Sequence, residues 1–77
     1  MELEIISPEG YVYQGEADVV SLPGAGGRFD ILPKHAPLIA LLQKGVIIYK
    51  VKGNEQRKEI GGGFVEIKDD RLSVCIE

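Results

Sequence analysis

The chain has 77 residues, a net charge of −3, and 44% hydrophobic against 27% charged residues. A length of this kind admits one domain, leaves no room for a large active-site cavity and favours support from a partner surface. The composition is too apolar for disorder, and the acidic balance disfavours a nucleic-acid partner. The charge is uneven: residues 1–40 hold six acids and two bases, and residues 41–77 hold six acids and seven bases. The single cysteine, Cys75, excludes an internal disulfide. The longest apolar run, Leu38 to Leu42, is far short of the ~20 residues of a membrane span. The opening Met1-Glu2-Leu3-Glu4 lacks the pattern of a signal or transit peptide, so a soluble protein made where it works is expected.

Apolar residues recur with period two, and Gly, Pro and Asn-type residues punctuate the chain at short intervals. This pattern predicts an all-β sandwich or barrel. Glu2 to Ser7 alternates Leu3 and Ile5 against Glu2 and Glu4, and Pro8-Glu9-Gly10 is a turn. Tyr11 to Glu16 and Asp18 to Leu22 read as strands, followed by a Gly24 to Gly27 loop and a short strand from Arg28 to Ile31. Prolines at 33 and 37 exclude helix from the next loop. Leu38 to Leu42 reads as a buried strand from its β neighbours, although one helical turn also fits. Val46 to Lys52 and Glu55 to Ile60 form a hairpin turning at Gly53-Asn54, with Lys52 opposite Glu55 and with Ile47, Tyr49 and Val51 inward. The return arm is polar on both faces, as an edge strand should be. The last hairpin is Phe64 to Lys68 and Arg71 to Ile76 around Asp69-Asp70; it pairs Ile67 with Leu72 and Val65 with Val74 on one face.

Sites of chemistry are sparse. Gly24-Ala25-Gly26-Gly27 fits neither a P-loop nor a dinucleotide fingerprint, since Arg28 and Phe29 follow in a β context. His35, the only histidine, has no nucleophile-elbow serine or activated cysteine to serve, and the Lys34-His35 pair between two prolines reads as a rigid polar contact loop. Gly61-Gly62-Gly63 marks a bulge or a close backbone approach. Cys75 alternates with Val74 and Ile76 and reads as inert packing. No cofactor is expected. Two functional classes remain: an interaction or transmission subunit, and a carrier domain with a modified lysine at Lys68, whose usual flanking signature is absent.

The order and spacing of several segments narrow this choice. Leu3-Glu4-Ile5-Ile6-Ser7-Pro8-Glu9-Gly10, Gly15-Glu16-Ala17-Asp18, Leu22-Pro23-Gly24, the run from Gly26 to Ile39 with its His35-Ala36-Pro37-Leu38 motif, and Ile60-Gly61-Gly62-Gly63-Phe64-Val65-Glu66 follow one another along nearly the whole chain. Together they resemble the N-terminal domain of the epsilon subunit of F-type ATP synthase. The resemblance implies a flattened β-sandwich of about ten short antiparallel strands. It implies a non-catalytic rotor subunit at the foot of the central stalk, linking the gamma subunit to the ring of c subunits and coupling ion flow to rotation. Such a subunit is peripheral on the cytoplasmic face of a bacterial inner membrane, within the F1 complex and without direct membrane insertion. By the same resemblance, Arg28, Lys34 and His35 lie on loops toward the c ring, with the two bases able to meet acidic c-loop side chains; Arg28 stands where some relatives carry an acid. Ser7, Leu38, Leu41 and Leu42 lie toward gamma. Family members commonly continue into an inhibitory pair of C-terminal helices. The expectation for residues 1–77 is a single β-sandwich domain without that pair.

Overall fold

The computed structural model describes residues 1–77. The chain forms nine strands and no helix: β1 Glu2–Ser7, β2 Gly10–Glu16, β3 Val19–Gly24, β4 Gly27–Ile31, β5 Leu38–Leu42, β6 Gly45–Val51, β7 Asn54–Ile60, β8 Gly63–Lys68 and β9 Arg71–Ile76. The all-β expectation holds, with nine strands in place of about ten. The strands run in the order β2-β1-β9-β8-β5-β3-β6-β7, with β4 paired to β3. A single register pair, Gly24 with Leu42, joins β3 to β5, so the sheet divides there into a five-strand layer and a layer of β4, β3, β6 and β7. Curling brings the far ends together: the rings of Tyr13 on β2 and Tyr49 on β6 lie 4.9 Å apart. Two sheet layers with apolar inner faces make a sandwich.

Alternation decides what enters the core. Leu3 and Ile5 are fully buried on β1 while Glu2 is exposed. Val20, Leu22, Ile31, Ile47, Val65, Ile67, Leu72 and Val74 complete the centre, each at most 1% exposed. The β8–β9 hairpin adopts the expected register, with Lys68 opposite Arg71, Ile67 opposite Leu72 and Val65 opposite Val74. Asp69 and Asp70 both have positive φ, 53° and 61°, as a two-residue primed turn requires.

Three expectations are corrected. The β6–β7 turn falls at Lys52-Gly53, not Gly53-Asn54, so Lys50 faces Glu55. A slide of two residues keeps every side chain on its own face, and period-two alternation cannot detect it. The pairing of β1 with β9 is parallel, because the first strand inserts beside the last instead of following it in a hairpin. The strand Leu38–Leu42 is not buried throughout: Leu42 is in the core, but Ile39 and Leu41 are 73% and 69% exposed. The alternation that sends Leu42 inward sends these two outward.

Candidate interaction surface

The register of the five-strand layer builds an apolar row across its outer face. Leu41 on β5 is opposite Phe64 on β8. Phe64 is opposite Cys75 on β9, Cys75 opposite Ile6 on β1, and Ile6 opposite Tyr11 on β2. Leu41, Phe64 and Tyr11 are exposed, and Cys75 and Ile6 are half-buried. Ile39 flanks the row two residues before Leu41 on the same strand. The next rank is polar: Ile39 faces Glu66, Glu66 faces Ser73 and Ser73 faces Glu4, whose carboxylate accepts a hydrogen bond from the Ser73 hydroxyl at 3.1 Å. An apolar stripe rimmed by polar residues is the usual anatomy of a protein contact.

Beside β5 runs a shallow groove lined by the Gly24–Gly27 turn, Phe29, His35, Leu38, Ala40 and Leu41. His35 and Leu41, expected to face different partners, therefore border one depression. The His35 Nδ1–H donates to the Ala36 carbonyl at 2.7 Å. A carbonyl only accepts, so Nδ1 carries the proton of this contact and Nε2 faces away from it. The Lys34 N–H donates to Asp70 Oδ1 at 2.7 Å, which ties this loop to the β8–β9 turn.

Arg28 lies on β4, the short strand expected there, opposite Pro23. Its Nε–H donates to Ser21 Oγ at 2.9 Å, and one terminal nitrogen donates to the carbonyls of Ser21 and Val46. The guanidinium thus fastens β4 across β3 to β6. Ser7 closes the first turn: its hydroxyl accepts from the Glu9 N–H at 3.3 Å and donates to the Gly10 carbonyl at 3.1 Å. Of the three expected leucines, Leu41 alone presents its side chain. Leu42 is in the core, and Leu38 is half-buried against it opposite Ile67. Lys68 is exposed at the last hairpin beside Arg71. No group of three or more His, Cys, Asp or Glu side chains is placed to hold a metal ion. The one clear pKa displacement is at Tyr49, pushed up by burial and, secondarily, by Tyr13.

The outer row was hidden from the sequence except at Leu41. Ile6, Cys75 and Phe64 each sit in a strand whose inward residues are equally apolar. Only the strand order makes a row of them, and that order joins segments up to 69 residues apart.

Comparison with known proteins identifies the class. The family model described as the beta-sandwich domain of the ATP synthase delta/epsilon chain matches residues 1–77. The chain therefore belongs to the ATP synthase delta/epsilon family, through its β-sandwich domain. It is 46% identical over 75 residues to the ATP synthase epsilon chain of Desulfitobacterium hafniense, covering 97% of this chain and 57% of that one. It is 45% identical over 79 residues to the epsilon chain of Leptospira interrogans, covering 100% and 61%. The chain thus spans about three fifths of the length of these relatives. A chain from the Euglena gracilis mitochondrial ATP synthase OSCP/F1/c-ring structure superimposes with a TM-score of 0.90 at 17% identity, over 96% of this chain and 48% of that one. A chain from the central stalk/c-ring structure of the Tetrahymena thermophila mitochondrial ATP synthase gives 0.84 at 17% identity, over 99% and 62%. At that identity the likeness concerns the fold. The family assignment displaces the carrier-domain alternative at Lys68.

Proposed function

We propose that residues 1–77 form the non-catalytic coupling domain of a rotor subunit in an F-type ATP synthase, seated between the gamma subunit and the c ring. The outward apolar row from Tyr11 to Leu41 carries this reading. A domain this small gains by covering such a stripe with a partner, and each large side chain buried there is worth roughly 1.5–3 kcal/mol before the costs of association. On this reading gamma covers Leu41, Ile39 and Phe64, with Ser7 at the opposite end beside Ile6. Leu38 and Leu42 support that strand from within. The c-ring contact is the loop of Lys34 and His35, and Arg28 holds the neighbouring hairpin in place. The relatives named ATP synthase epsilon chain, and the central stalk/c-ring assembly in which a structural neighbour was solved, support the assignment.

In the assembly the domain sits peripherally on the cytoplasmic face of the membrane. No helix in the structure is long and apolar enough to cross one. Co-purification with gamma and the c ring is the test. The Leu41→Ser, Phe64→Ser double variant should stay folded and lose gamma, by at least about tenfold in affinity. Retention of gamma at full affinity would reject the reading. Residues 1–77 added to a catalytic head lacking epsilon should leave ATP hydrolysis uninhibited, since the inhibitory helices of the family are a separate element; strong ATP-sensitive inhibition would contradict this.

A further inference from the structure

Lys34 has a backbone φ of 65°, in the left-handed region. It is the third residue of the turn Leu32-Pro33-Lys34-His35, closed by the His35 N–H donating to the Leu32 carbonyl at 3.2 Å. Proline second and a positive φ third is the type II pattern, and its third position ordinarily belongs to glycine or asparagine. A lysine there is held against its own preference by the surroundings.

The restraint is visible. The Lys34 N–H, which the turn does not use, donates to the Asp70 carboxylate 36 residues away. The Asp70 backbone carbonyl accepts the Glu2 N–H at 3.0 Å. One residue at the tip of the β8–β9 hairpin therefore ties the first strand, the last hairpin and the Lys34 loop into one corner. A hydrogen bond to an ionised acceptor is about twice as strong as a neutral one, which suits it to this task. Strained residues held by their neighbours concentrate at contact sites, because an unstrained glycine would otherwise serve as well.

We propose that Asp70 is a positioning residue for the Leu32 to Pro37 loop. Its carboxylate fixes the left-handed turn that presents the Lys34 ammonium and the His35 ring to a carboxylate-bearing partner surface. The contact half of this proposal rests on the reading of that loop as ring-facing; the restraint half does not.

Two substitutions separate the restraint from the hairpin turn that Asp70 also forms. Asp70→Gly removes the carboxylate and leaves Asp-Gly, a favoured pair for primed turns. Asp70→Asn keeps an acceptor oxygen and tolerates positive φ. Amide hydrogen exchange on the labelled chain and affinity for the cognate gamma–c-ring subcomplex are the two readouts. In Asp70→Gly, Lys34 amide protection should fall about tenfold, ring affinity should fall by a similar factor, and the melting temperature should hold or rise. Asp70→Asn should restore most of both. Unchanged Lys34 protection in Asp70→Gly overturns the positioning role. Lost protection with unchanged affinity upholds the restraint and overturns the ring-facing reading of the loop.

Discussion

Charge alone does not tell which side chains of this chain hold the fold and which stay free for a contact. Arg28 and Lys34 are both basic and were both expected at the ring. The Arg28 guanidinium is spent on Ser21 and Val46, whereas the Lys34 side chain is exposed and only its backbone is tethered. Reversal of Arg28 to Glu should lower stability by about 1–3 kcal/mol, visible as a drop in the denaturant midpoint. Lys34→Glu should leave that midpoint within about 0.5 kcal/mol and weaken ring binding. Gly63 is a holding residue of another kind. Its φ is 151°, and a Cβ there would lie 2.1 Å from the Cys75 carbonyl oxygen across the strand pair. Gly63→Ala should therefore cost about 3 kcal/mol or more. Tyr49 gives the pH response. Its folded pKa is raised above the ordinary value of about 10, so the unfolded chain ionises first. The contribution is complete below pH ~10 and is lost as pH rises through the folded value. Tyr49→Phe should flatten the alkaline limb of the stability curve.

At the scale of elements, what could be read from the chain was whatever one strand or one hairpin decides alone. The β8–β9 hairpin was legible to the residue, because alternation and turn chemistry agree on one register. The neighbouring β6–β7 hairpin was legible only to within a two-residue slide. Gly53 belongs to the primed turn in either frame, and both frames keep Ile47 and Tyr49 inward. The polar β7 was rightly placed at a sheet edge, where it has one neighbour, β6. In β5, Leu38 to Leu42 is apolar at every position, so pattern could not say which side faces water. The structure makes Leu42 core and Leu41 surface, and the candidate site follows from that one bit of parity. Leu42→Ala should cost about 2–4 kcal/mol in denaturant unfolding, whereas Leu41→Ser should be nearly neutral for the isolated chain. The loop carrying Lys34 and His35 was legible as non-helical from its prolines. Its anchor at Asp70 was not, because nothing local links positions 34 and 70.

For the molecule as a whole, the decisive event is closure. The parallel pairing of β1 with β9 means that one hydrogen-bonding edge of the first strand is satisfied only by the last. Contacts of such sequence separation slow folding, so the domain should fold in milliseconds to seconds, by stopped-flow. Deletion of Arg71–Ile76 should abolish cooperative unfolding, since it strips partners from both β1 and β8. Closure also assembles the outer row, which exists only when β5, β8, β9, β1 and β2 lie side by side. Cys75 stands at its centre as the only thiol of the chain. Maleimide labelling of Cys75 should therefore be slowed by bound gamma; equal labelling rates in the free and assembled protein would move the contact elsewhere.

The parallel strands have a practical corollary for anyone handling the protein. Because β1 and β9 run the same way, the chain leaves β9 next to Ile6 and Phe64, with the Glu77 N–H anchored on the Gly62 carbonyl. At the opposite end of β1, the Met1 ammonium is enclosed, donating to the Ala17 carbonyl at 3.1 Å and lying 3.4 Å from the Glu16 carboxylate. A fluorophore attached on this side of β9 would crowd the proposed stripe, and one attached beside Met1 would disturb an enclosed ammonium. The exposed Lys52-Gly53 tip, on the far edge hairpin, is the place where a label disturbs neither.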